Sequence, residues 1–309
     1  MKLLDEKTWL GKPVTTSRCA VCVLEDVYSG AEAVGVSEQQ KCEVLKQTIS
    51  MLQREFSTAK MPSTYITEAH RILKQISGLD DPFKQARETC NTVGSRLTTK
   101  ISKEAEKIED DYERFRYLVI WAVAANTMDI RTAGAGYAST TNALHKRLKR
   151  IFNQGLAVDD TAEIFRMIPT AKRVLCVLDN VGEIAVDRLL LEELQRNGTT
   201  ITAAVRGGPL TSDATKEDAV AVGFDSSNIR LITTGPDTLG MTFDEMSDEF
   251  RDEVRRADLI LGKGQANFYA FCQYRNEFPK NVVALLRTKC NVINQLFDCS
   301  ENISIAALI

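Results

Sequence analysis

The chain has 309 residues, 44% apolar and 26% charged, with a net charge of −3 and eight cysteines. That balance suits a folded protein with a large core and gives no electrostatic case for a nucleic-acid or anionic-membrane partner. No run approaches the roughly twenty apolar residues of a membrane helix, and eight thiols over this length are too sparse for a disulfide scaffold.

The first residues, MKLLDEKTWLGKP, carry two early acids and no continuous apolar stretch, so no signal peptide is read and a cytoplasmic location is expected. Cys19-x-x-Cys22 has metal or redox spacing, but one such pair without a second better describes a packed helical face or a stray thiol pair than a zinc site. From about Ser37 to Arg166 the period is helical. SEQQKCEVLKQTISMLQREF opens on a Ser cap and places Val44, Leu45, Ile49 and Leu52 on one stripe. SKEAEKIEDDYERFRYLVIWAVAAN starts as a charged amphipathic helix and turns apolar all round from Val119 to Ala125, which predicts a buried second half. His70 and His145 lie in surface-type helical contexts, EAHRILK and ALHKRLKR, so no histidine-based triad is expected. The basic run 146–150 reads as a solvated helix face.

After Pro169 the pattern changes. Apolar, β-rich runs at 173–178, 201–205, 229–233, 258–262 and 282–286 alternate with helix-period segments at 183–196, 214–222 and 244–256. Continuously apolar strands joined by helices predict a parallel or mixed sheet covered on both faces. The expected fold is therefore α/β: a helical domain over 1–168, then a three-layer α/β/α domain over 169–309 with a cleft between them. The tail NISIAALI reads as one last edge strand.

Ligands of open α/β sheets bind beyond the strands' carboxyl ends. The first strand delivers Asp179 and Asn180 there. The second delivers Arg206, with Asp213 at the next helix start, the fourth Lys263, Gly264 and Asn267, and the fifth Arg287 and Lys289. Asp179, Asn180 and Asp213 each make sense as helix caps or as oxygen ligands of a hard cation. Lys263, Lys289 and Arg206 each make sense as solvated charges or as partners of a phosphate. Their coincidence at one sheet edge favours the ion with a phosphorylated ligand. The dinucleotide, P-loop and Asp-x-Asp phosphatase motifs are missing from the sequence.

Three segments, DNVGEIAVDRLL (179–190), VRGGPLTSDATKEDA (205–219) and ADLILGKGQANF (257–268), together resemble the metal-dependent damage-control phosphatases, long catalogued as domain of unknown function 89. The likeness is to their prokaryotic stand-alone branch, and it extends to the Cys19/Cys22 pair, to Asn126 and Asp129 in AANTMDI, and to Lys289-Cys290. Ser212 and Ala125 stand where the family usually has Asn and Gly. The resemblance implies a divalent ion (Mn²⁺, Ni²⁺, Co²⁺ or Mg²⁺) held by Asp179, Asn180 and Asp213, with Asp179 and Asp213 as the catalytic carboxylates. It puts Lys263, Gly264, Asn267 and Lys289 near the substrate phosphate, and Asn126 and Asp129 on the helical side of the pocket. Glu183 and Arg206 complete the candidate substrate-binding set, with Lys263 expected to emerge opposite the acids. The implied substrates are small phosphorylated metabolites, such as sugar phosphates or phosphopantetheine-like compounds. An S-adenosylmethionine-dependent carboxyl methyltransferase and a non-catalytic metal and phospholigand binder are the competing readings.

Overall fold

A computed structural model describes residues 14–128, 141–279 and 281–309. Asp129 lies outside the described residues. Three helices come first: α1 (Ser17–Val34), α2 (Glu38–Glu55) and α3 (Pro62–Ser77). They share an apolar cluster of their own, built on Val23, Val27, Val44, Tyr65 and Leu73. Ser37 caps α2 in a reciprocal box with Gln40, as its sequence predicts. The stripe differs from the expected one: Val44 and Leu52 are buried, but Ile49 is 53% exposed and Thr48 and Met51 turn inward.

The long charged-to-apolar helix is two helices. α4 (Lys84–Ala105) ends before the acidic turn, and α5 (Asp111–Ala125) starts afresh because the Asp110 carboxylate accepts from the Glu113 N–H at 2.9 Å. The buried second half of α5 is as expected, with Leu118 through Ala125 in the core. α6 (Thr141–Gln154) leads to a two-residue strand, β1 (Val158–Asp159), and to α7 (Thr161–Met167). The rest alternates: β2 (Arg173–Val177), α8 (Glu183–Gln195), β3 (Thr200–Val205), α9 (Lys216–Ala221), β4 (Arg230–Thr233), α10 (Asp248–Arg256), β5 (Leu259–Lys263), α11 (Gly264–Gln273), β6 (Val282–Arg287), α12 (Asn291–Leu296) and β7 (Ser304–Leu308).

These strands make one mixed sheet of order β1-β7-β6-β5-β2-β3-β4 among the described residues. β2 to β6 are parallel, and β7 runs antiparallel to β6. The sheet reaches back ahead of residue 169, since β1 pairs with β7; two residues are too few to leave an alternation in the sequence.

Strand periodicity sorts the two faces. Val174, Cys176, Leu259 and Leu261 pack toward α4, α5, α7 and α8, while Leu175, Val177 and Ile260 pack toward α10, α11 and α12. The first-half helices α4 and α5 are thus an outer layer of the sheet, and only α1–α3 keep a separate core. α3 fastens that bundle over the strand ends: Arg71 pairs with Asp237 and Glu245, each at 2.7 Å, and Lys74 Nζ donates to the Pro209 carbonyl at 2.9 Å.

Contact between α4 and the start of α8 is close enough to require glycine on both sides. A Cβ on Gly94 would overlap the Gly182 carbonyl, and one on Gly182, whose φ is +74°, would overlap the Cys90 carbonyl. Glycine inside a helix normally costs about 1 kcal/mol relative to alanine, so Gly94→Ala should stabilise an isolated α4. In the whole protein overpacking outweighs that gain, and we expect a loss of about 1–3 kcal/mol by urea unfolding. A stabilised variant would contradict the close approach.

Candidate functional site

β2 stands between β3 and β5, and the chain runs outward from β2 to β4 before crossing back to β5. That reversal opens a crevice at the carboxyl ends of β2 and β5. After β3 the chain folds back on the end of β2. The Arg206 N–H donates to the Ala214 carbonyl, the Ala214 N–H to the Asp179 carbonyl and the Val181 N–H to the Ser212 carbonyl, each at 2.8 Å. Residues 212–214 therefore run alongside 179–181, with Asn180 opposite Asp213. Asp179, Asn180 and Asp213 thereby come to line one cavity of about 390 Å³, whose far wall carries Cys19, Cys22 and Asp26 of α1 and Ser63 of α3.

Each acid is held by buried partners. Asp179 Oδ2 accepts from Asn126 Nδ2 at 2.9 Å and Asn180 Nδ2 at 2.8 Å. Asp213 Oδ2 accepts from Arg206 Nε at 2.7 Å and the Gly240 N–H at 3.3 Å. Asn180 Oδ1 accepts from Ser212 Oγ at 2.8 Å. Gly264, with φ +76°, brings its backbone against the Asp179 carboxylate, where any Cβ would collide with Oδ2. The donor set is all oxygen, two carboxylates and one amide, and a carboxylate's several lone pairs are not exhausted by these bonds. That chemistry fits Mg²⁺ or Mn²⁺. Among the described residues no three His, Cys, Asp or Glu side chains are arranged to hold a metal by themselves. The Asn180 amide, substrate and water would have to complete the shell.

Lys263 does not emerge into the cavity as the sequence led us to expect. It shares the face of Leu259 and Leu261 by strand alternation, so its side chain enters the layer under α5 and α8. There Nζ lies 3.1 Å from Glu183 Oε1, 3.0 Å from Asp187 Oδ1 and 2.6 Å from the Ala122 carbonyl, fully buried. Burial alone would lower its pKa, but the Asp187 and Glu183 carboxylates hold the ammonium above its ordinary range. Burial, helped by the Glu183 charge, pushes the Asp187 carboxyl above its ordinary range against the pull of Lys263. Glu183 lies beneath the acids, accepting from Asn180 Nδ2 at 2.7 Å and Asn126 Nδ2 at 3.0 Å.

Arg206 likewise turns inward. It is 1% exposed, and besides Asp213 it reaches the Leu178 carbonyl at 3.2 Å. Asn267 is fully buried, donating to the Lys263 carbonyl at 2.8 Å and the Leu178 carbonyl at 3.3 Å. Lys289 does line the cavity, its backbone N–H bonded to Gln265 Oε1 at 3.0 Å. Cys22 lines it too, but desolvation raises its thiol to about 11, which keeps it protonated and unreactive. His70 is buried rather than exposed, with Nε2 3.0 Å from Asp26 Oδ2.

Sequence reading missed the residues of α4 that hold the site from behind. Arg87 Nη1 donates to the Thr211 carbonyl at 2.6 Å and the Asp213 carbonyl at 2.8 Å, and Nη2 pairs with Asp218. Asn91 bridges Asp218, 2.8 Å from its Nδ2, and the Gly182 N–H, 2.8 Å from its Oδ1. Polar residues four apart, one turn before Gly94 on a face otherwise buried, were the available signal. Arg18, ahead of the cysteine pair, also lines the cavity.

A family model for the damage-control phosphatase ARMT1-like domain matches residues 15–304. An uncharacterised protein of Methanocaldococcus jannaschii is 30% identical over 93% of this chain and 91% of its own length. A damage-control phosphatase of Archaeoglobus fulgidus is 31% identical over 89% of this chain and 92% of its own. A crystal structure of a DUF89 family protein from Pyrococcus horikoshii superposes with a TM-score of 0.83 at 22% identity, covering 95% of this chain and 98% of that one, which shows the fold.

Arg87 supplies a direct test of how the Asp213 loop is held. In Arg87→Met the buried Asp218 loses its cation and two carbonyls lose their donor. Breaking a buried pair by removing one partner costs about 3–5 kcal/mol. Urea unfolding should show a loss of that order, and a change below about 1 kcal/mol would mean that the loop is held by its backbone ladder alone.

Proposed function

The chain belongs to the damage-control phosphatase ARMT1-like (DUF89) family, and on that premise we propose that it is a metal-dependent phosphatase of small phosphorylated metabolites. One observation carries the reading: two carboxylates and a carboxamide from adjacent strand ends meet on the wall of one cavity at the sheet's switch point. A divalent cation held by Asp179, Asn180 and Asp213 would supply Lewis-acid polarisation of a phosphoryl oxygen. Asp179 is kept ready by the Asn126 and Asn180 amides, and Asp213 by Arg206. Lys289 and Arg18 stand on the same cavity wall and would neutralise a phosphate's charge as it enters. The α1 and α3 wall then faces the rest of the metabolite, and a cavity of about 390 Å³ has room for a small molecule rather than a polymer.

Gly182 speaks against the methyltransferase alternative. A cofactor-binding turn needs its glycine open to the ligand, whereas the Gly182 N–H is bonded to Asn91 and its α-carbon is packed on Cys90 and Met128. No helix among the described residues is long and apolar enough to cross a membrane.

Hydrolysis of p-nitrophenyl phosphate with and without added Mn²⁺ tests the proposal. We expect turnover that EDTA abolishes, and in Asp179→Ala a fall in kcat/KM of about a hundredfold or more with loss of bound metal and an unchanged circular dichroism spectrum. Full activity in EDTA would overturn the metal dependence. Absence of turnover on a panel of phosphomonoesters, with metal bound, would favour a non-catalytic binder.

A further inference from the structure

Lys263 has three N–H donors and three acceptors within 3.1 Å: the Ala122 carbonyl, Glu183 and Asp187. The side chain is fully buried on the α5/α8 side of the sheet and does not line the cavity. Yet a lysine at the last residue of a central strand, directly before the glycine that abuts Asp179, costs desolvation that a structural apolar residue would avoid.

Its connection to the site runs through Glu183. That carboxylate accepts from the Asn180 side-chain Nδ2 at 2.7 Å and the Asn180 backbone N–H at 3.4 Å, and from Asn126 Nδ2 through both oxygens at 3.1 and 3.0 Å. With its Nδ2 claimed by Glu183 and by Asp179, the Asn180 amide has one orientation left. Its Oδ1 is turned to the opposite side, toward Ser212 Oγ at the cavity. An amide binds a hard cation only through oxygen, so this orientation is the ligating one.

From this geometry we infer that Lys263 is a positioning residue for the metal site, acting through Glu183 to hold the Asn180 amide with its oxygen toward the ion. The Lys263 ammonium, 3.1 Å from Glu183 Oε1, anchors that carboxylate in the place from which it accepts the Asn180 and Asn126 amides. Without Lys263 the Glu183 side chain loses its anchor, and the Asn180 amide loses the acceptor that fixes its orientation. The same network orders Asn126, whose Oδ1 accepts the Arg287 N–H at 3.1 Å and so ties β6 to the site.

This inference rests on the metal reading above, and calorimetric titration of Mn²⁺ into the whole protein separates the two. Wild-type protein that takes up no Mn²⁺ ends the metal reading, and this inference with it. If wild type binds, Lys263→Met should weaken Mn²⁺ by about ten- to hundredfold, the scale of losing a partner that orients a metal ligand. Raising Mn²⁺ should then restore turnover of p-nitrophenyl phosphate with a near-normal KM. Wild-type Mn²⁺ affinity, with a raised KM that no Mn²⁺ concentration relieves, would overturn the inference and return Lys263 to the phosphate. Should Lys263→Met fail to fold, the isosteric Glu183→Gln decides in its place: weakened Mn²⁺ binding supports the relay, and unchanged binding overturns it.

Discussion

A carboxylate can be buried only where cations and donors surround it, and in this protein four buried carboxyl groups sit under one sheet edge. Asp179 and Glu183 share the amides of Asn126 and Asn180, Glu183 and Asp187 share Lys263, and Asp213 has Arg206. These pairings come from the turn after α5, the turn between β2 and α8, α8 itself, the loop after β3 and the end of β5, so the site cannot form until all five are in place. The charge requirement and the fold are therefore one constraint. Two carboxylates face the cavity while the buried charges behind them are paired with one another.

The same constraint explains the division of labour between the layers. α1–α3 have their own core and are tied to the loops beyond the strand ends by polar contacts, such as Arg71 with Asp237 and Glu245. α4 instead approaches so closely that glycine faces glycine, and from that approach Arg87 and Asn91 grip the Asp213 loop and the start of α8. The α1–α3 wall of the cavity is thus fastened by partly exposed ion pairs, and the wall that carries Asp213 by buried ones.

Much of this was legible in the sequence. Buried parallel strands read as continuous apolar runs, and the five after Pro169 appear within a residue or two of their expected limits. The residues at their carboxyl ends follow from them, which is why Asp179, Asn180 and Asp213 could be brought together on paper. What could not be read from strand ends alone was direction. Lys263 and Arg206 both end strands, yet alternation sends Lys263 to the α5/α8 face and Arg206 to the opposite one, and neither projects beyond the edge. Counting back by twos from Lys263 to Leu261 and Leu259 would have given its face. The α4 contribution was harder, since Arg87 and Asn91 act on residues more than ninety positions away and their helix carries no motif.

Crystals soaked in Mn²⁺ and measured at an anomalous wavelength test the central claim most directly. The account predicts one dominant anomalous peak at coordinating distance, about 2.1–2.3 Å, from Asp179, Asn180 Oδ1 and Asp213. A peak at the Cys19/Cys22 pair with none at the strand ends would contradict it.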